Sequence, residues 1–449
     1  GTVNTTGTQT YREAVSLGAD TTLSTSSNGS VVFGSTVNGA QALTVTTNGT
    51  GDVTFSGAVG GSAALTGLTL TTDVLSAGAL TLATNSALSI TNGGTSEITG
   101  VIAGSGVSLT KAGTGTLTLS GNNTYSGTTA INAGTLKLGH VNGLGATGAS
   151  SATTVGSGAA LDLNGLTVEE TVAVNGGRIL NGVLSGPISL TADSTFEAGS
   201  GESVTLNGVI TGSYGITVSG GGTFTLGGNN TGYTGNTTVS SGTLRITHDN
   251  ALGNGSGTTT IANGATLDLV GVNVASGSLV LNGATLKDAT SIWGGSIVLT
   301  GTNTVDIGAN DTLIVNGVIS GAGSLTKVGS GALSLSRANT YTGRTTISAG
   351  TLSLSGSGSI ADSAKVVANG TFDISGVTTG TSIKSLDGSG YVVLGSKTLT
   401  LSAANDSFAG EISGSGALTL STGTQTLSGT NTYTGDTNIT AGTLKLTGG

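Results

Sequence analysis

The sequence predicts an all-β protein, a right-handed parallel β-helix (a solenoid) built from modules of about 108 residues. Three observations carry that prediction. Leucine alternates with Thr, Ser or Lys in short runs, as in LTLS at 117–120, LSLS at 333–336 and LKL at 136–138. One long phrase recurs four times along the chain. And 82 of the 449 residues are Gly, against a single Pro, so the runs are punctuated by corners rather than by linkers.

Each element follows from those observations. Period-two alternation is the signature of a strand with one buried face. The strands run roughly four to seven residues between Gly, Asn and Ser turns. No apolar stripe of helical period occurs, and β-branched Thr and Val are abundant. Short strands with small-residue corners, in one long register, suit coils that stack along a common axis. Each strand then pairs with its equivalent in the next coil, and Gly and Asn supply the positive-φ corners. Roughly 20 residues per coil gives on the order of 22 coils, and ~4.8 Å per coil gives a rod of about 100 Å. Parallel crossovers are right-handed, which sets the expected hand. Separate β-sandwiches fit less well, because no linker or composition break divides the modules. The expectation is one continuous β-helix over 1–449.

The register of the modules is carried by single residues. Tyr125, Tyr233, Tyr341 and Tyr433 are spaced by 108, 108 and 92. Gly134, Gly242, Gly350 and Gly442 repeat those intervals, and so do Leu136, Leu244, Leu352 and Leu444. The module phrases occupy 100–139, 208–247, 317–355 and 410–447. Each opens on a similar lead, GVIAGSG, GVITGSYG, GVISGAGS or GEISGSGA. The leucines are expected to face inward.

Composition excludes several classes. Charged residues are 8% of the chain, far below what coiled coils or nucleic-acid binders need. A net charge of −9 argues against nucleic acid and anionic membranes as partners. No window approaches the ~18 continuous apolar residues of a membrane helix. Zero Cys removes disulfides and thiolate chemistry. With Gly1 as its first residue and no Met, the chain reads as a mature or excised piece.

The stretch GSLTKVGSGALSLSRANTYTGRTTISAGTLSL at 323–354 resembles the β-strand repeat of bacterial autotransporter passengers. TTGTQTYREAVSLGADTTL at 5–23, with GAQALTV and GDVTFSGAVGGSAALTGLTL after it, resembles repeats of filamentous-haemagglutinin-like exoproteins. The resemblance implies a right-handed β-helix that is exported and displayed, or released, as an adhesin or surface fibre.

The scarce titratable residues were weighed for chemistry. His140 and His248 are 108 apart, so they repeat one position and read as scaffold. Asp162, Asp268 and Asp373 hold near-equivalent places and are expected outward on strands. Glu169 and Glu170 are adjacent and should face opposite ways. Lys111 and Lys327 share one position, and Lys137, Arg245 and Lys445 another. All five are expected outward, giving solubility and discouraging edge pairing. Trp293, the one Trp, reads as core or loop, and the four module Tyr as corner packing. T-x-T pairs at Thr44/Thr46, Thr69/Thr71, Thr116/Thr118 and Thr223/Thr225 are good strand chemistry, or an outward ladder. N-x-T sequons at Asn48 and Asn122 are expected from a Thr-rich chain by chance. No calcium-repeat, P-loop or metalloprotease signature occurs.

The function expected is structural: an exported rod acting as adhesin stalk or extracellular fibre subunit, secreted or on the bacterial surface, with no catalytic, cofactor or metal residues. The alternative is an ice- or glycan-binding solenoid using the Thr ladders, and clustered acids in a cleft would instead indicate a polysaccharide enzyme. The expected partners are a second copy end to end, because the closing phrase TAGTLKLTGG shows no cap, and a host, cell-surface or glycan receptor.

Overall fold

The computed structural model describes residues 1–148 and 151–447. Gly448 and Gly449 of the closing phrase lie outside them. The chain divides into two compact units, Gly1–Ile216 and Thr217–Gly449. No α-helix occurs among the described residues, and strands are joined by Gly- and Asn-rich corners.

In the first unit, an eleven-stranded sheet starts with Thr2–Thr5, Thr21–Thr25 and Ala42–Thr46 and ends on Ile210–Thr211. A nine-stranded sheet runs from Gln9–Tyr11 to Arg178–Leu180. Neighbours in each sheet come from successive coils and pair parallel: Thr2 with Thr22, Leu109 with Thr129, Leu136 with Leu161. That is a β-solenoid. Coil length varies because the corners absorb it: Val172 pairs with Ile188, whereas Thr135 pairs with Ala160.

The parallel register stacks like on like inside. One buried ladder reads Leu23, Val45, Leu70, Ile90, Lys111, Ile131, Val155. Tyr11, Phe33 and Phe55 form another, their rings stacked at 5.1 and 4.8 Å. In the second unit the ladder Phe224, Leu244, Leu267, Leu286, Val305, Lys327, Ile347 has the same build. Leu136, Leu244 and Leu352 are fully buried as expected, and Leu444 is half-buried. Burying each such side chain contributes about 1.5–3 kcal/mol.

Two expectations about charge placement need correcting. Lys111 and Lys327 do not face outward; both are fully buried and stand in the aliphatic ladders. Their ammonium groups reach the next corner. Lys111 Nζ donates to the carbonyls of Ala112 (2.8 Å), Gly113 (2.9 Å) and Ala133 (3.2 Å). Lys327 Nζ donates to those of Val328 (2.6 Å), Gly329 (2.9 Å) and Ala349 (3.5 Å). Burial pushes Lys111 down to about 8 and lowers Lys327 as well. The corner demands glycine: Gly134 and Gly350 sit at φ 65° and 67°. A Cβ on either would lie 2.9 Å from the lysine nitrogen and closer still to two carbonyl oxygens. The second correction concerns Asp268. Its place in the alternation is outward, but Arg245 of the preceding coil covers it with an ion pair of 2.9 Å and leaves it 5% exposed.

Candidate functional site

The repeated phrase contains its own set of polar contacts. Asn123 in NNTY accepts a hydrogen bond from Ile102 N (2.8 Å) and donates to Gly143 O (2.6 Å), joining the lead GVI to the following coil. Asn339 does the same between Ile319 N (2.8 Å) and Ser359 O (3.1 Å). Asn431 accepts from Ile412 N at 3.0 Å. The module tyrosines are corner residues. Tyr125, Tyr341 and Tyr433 share a hydrogen bond with the Thr four residues on, at 2.8, 2.6 and 2.6 Å. Tyr233 donates to Asn236 O at 2.7 Å. Burial raises the phenol pKa of Tyr125 and Tyr341.

The histidines are placed in the same way. His140 Nδ1 accepts from Asn142 N (3.0 Å), and His248 Nδ1 from Asn250 N (3.1 Å). The two asparagines in turn donate to Asn122 and Asn229, both at 2.9 Å. Each histidine therefore shapes a corner. Asp162 and Asp373 accept from backbone N–H groups two residues on, at 2.8 Å each. Lys137 is half-buried, and Arg245 and Lys445 are exposed. Among the described residues no group of three His, Cys, Asp or Glu stands close enough to hold a metal ion.

Trp293 is buried beside Val274 and Val315, with no hydrogen-bond partner for Nε1. The T-x-T pairs stack only briefly. Thr44 and Thr46 meet Thr69 and Thr71, and these meet Ser89 and Thr91. Thr118 meets Lys137, and Thr225 meets Arg245, so those ladders break.

Sequence reasoning missed two places. Lys365 Nζ pairs with Asp387 (2.8 Å) and Asp406 (2.9 Å), holding the Asp387 carboxyl low and raising its own pKa. The three come from successive coils, and only the coil lengths bring them together. The second is Glu170. Glu169 is exposed while Glu170 is 2% exposed, so the pair does face opposite ways. Thr153 Oγ1 donates to Glu170 Oε1 at 3.4 Å. Burial pushes the carboxyl up to about 7. Two surface grooves, about 330 and 360 Å³, share Thr147, Glu169 and Glu170 in their walls. Perturbed acids in clefts are where function concentrates; burial raises the Asp288 carboxyl as well, but Asp288 lines neither groove. A buried glutamate in a short polar stretch has no sequence signature, because its burial comes from the coils on either side.

These features define a repeat protein of the parallel β-solenoid class. Four stretches, 109–138, 216–246, 325–354 and 421–446, match the passenger-associated-transport-repeat family model. Over 116 residues, 25% of this chain, the sequence is 34% identical to a protein of Brucella suis biovar 1 (strain 1330) named "Adhesin BmaC autotransporter". That stretch covers 3% of the Brucella protein, so the chain spans a small part of its relative's length. No solved structure matches the chain. The chain carries autotransporter passenger repeats, and the Asn, Tyr and Gly contacts above are what those repeats build.

Proposed function

We propose that the chain is the displayed passenger of an exported protein: an adhesin-like surface scaffold, acting as a stalk or fibre segment, with no catalysis of its own. The observation that carries this is the use made of the repeat. Its Asn and Lys residues join one coil to the next, at Asn123 and Lys111, while its Tyr and His residues fix the corners within a coil, at Tyr125 and His140. Such repeats extend a scaffold by nearest-neighbour contacts, and the adhesin-named relative supports the surface assignment. The partner we assign is a glycan on a cell surface. Displaying the chain on a non-adherent bacterium and counting attached cells tests the reading. Attachment above the undisplayed control is expected. Hydrolysis or elimination of polysaccharide by the purified chain would overturn it.

A further inference from the structure

The ion pairs among the described residues are Arg178 with Glu197, Arg245 with Asp268, and Lys365 with Asp387 and Asp406. Asp268 shows how this chain treats an outward acid that becomes covered: a cation from the adjacent coil lies on it. Glu170 is more deeply buried and has no such cation. Its carboxyl holds one long hydrogen bond, from Thr153 to Oε1, and no ion pair among the described residues. A carboxyl buried this far either holds its proton or needs a counter-charge.

Glu170 stands in the walls of both grooves. One passes Val141, Asn142 and Leu144; the other passes Thr171, Ser185 and Pro187. No Lys, Arg or His lines either among the described residues, and Glu169 adds a second negative charge to both walls. Their volumes fall at the lower end of ligand clefts, about 300–1,000 Å³. The walls are therefore acidic at one point, hydroxyl- and amide-bearing around it, and apolar at Val141, Leu144 and Pro187. That combination fits a small hydroxylated molecule carrying a positive charge.

We propose that the paired grooves at Thr147–Pro187 bind an amino-sugar residue with a free ammonium group, with Glu170 as the anchoring carboxylate. The ammonium supplies the missing counter-charge, the sugar hydroxyls meet Thr147, Thr171, Ser185 and Asn142, and the ring carbons cover Val141 and Leu144. Glu169 strengthens the field without touching the ammonium directly. This inference rests on the reading of the chain as a scaffold with a glycan partner, and it names the sugar chemistry.

The test is calorimetric titration of the full chain with glucosamine, N-acetylglucosamine and a lysine-containing tripeptide. Glucosamine should bind at least about tenfold more tightly than the acetylated sugar, since acetylation removes the charge. Glu170→Gln should lower glucosamine affinity by about tenfold or more. Thr147→Arg, which places a cation in the groove and leaves Glu170 intact, should abolish binding. Affinity should fall as pH is lowered below about 7, because Glu170 takes up a proton. Equal binding of the acetylated sugar, unchanged affinity in Glu170→Gln, or no binding of glucosamine at millimolar concentration overturns the site. Tighter binding of the peptide overturns the sugar class. Cell attachment of the displayed chain separates this from the broader reading. Attachment without glucosamine binding overturns the site alone, whereas glucosamine binding without attachment overturns the adhesin-like reading alone.

Discussion

At one inward position the first and third copies of the repeated phrase bury a charge and the second does not. Lys111 O accepts from Asn132 N, Lys327 O from Ser348 N, and Val218 O from Ser240 N, so the three residues occupy equivalent places. Two copies bury an ammonium there and one buries an isopropyl group. The backbone around them is alike. Gly134, Gly350 and Gly242 all take positive φ, at 65°, 67° and 73°, and all lie against two converging carbonyls of the preceding coil. The comparison shows that the corner is made by glycine conformation and backbone pairing. Lysine is an added staple, carrying three hydrogen bonds at the cost of burying a charge. Replacing a buried charge by a well-packed apolar group is often close to neutral, and this chain carries both solutions.

The largest effect should come from what the copies share. Leu352→Ala removes a fully buried side chain and should cost about 2–5 kcal/mol, read as a loss in denaturant midpoint. The loss should stay local in hydrogen exchange, because each coil contacts mainly its neighbours. An unchanged midpoint would mean that the leucine ladder is not what holds the coils.

Next comes Glu170, a buried acid outside the repeated phrases. Its folded pKa of about 7 lies above the ordinary carboxyl value, so the folded state prefers the protonated form. The contribution of Glu170 to stability should be full below about pH 4.5 and fall as pH rises through 7, by on the order of 3 kcal/mol. Glu170→Gln should flatten that slope, as measured by unfolding at a series of pH values. A slope that survives the substitution assigns the effect elsewhere.

The lysine comparison can be sharpened by exchanging the residues. Val218→Lys should fold, and its new amine, like the buried amines of Lys111 and Lys327, should resist acylating reagents. Lys327→Val should change stability by less than about 1 kcal/mol near neutral pH. Lys111 has a folded pKa of about 8, below the free value, so the protonated form is disfavoured on folding. The chain should accordingly gain stability as pH rises from about 8 towards 10.5, and Lys111→Val should remove that gain. A Val218→Lys chain that fails to fold would mean that the second corner differs from the other two. A similarly small effect should come from His140→Ala and His248→Ala, each removing one hydrogen bond near the surface worth at most about 1 kcal/mol. Cell attachment should be unchanged in both.

Strand type, coil register and the phrase-level contacts were legible in the sequence, for a physical reason. Alternation, glycine corners and repeated tyrosines act over a few residues, and the parallel stacking of like on like copies them from coil to coil. Alternation even places Lys111 inward, two residues after the buried Leu109. It was the chemistry of lysine, usually solvated, that argued for the surface. What the sequence left open was the fate of each polar group once the coils were stacked. Whether Lys111 reaches carbonyls, whether Arg245 covers Asp268, and whether Glu170 is buried against Thr153 depends on residues about 20 positions away, across corners of variable length. Period two tells which side of a strand a residue takes. Desolvation is set by the coils above and below, so the one candidate site emerged only in three dimensions.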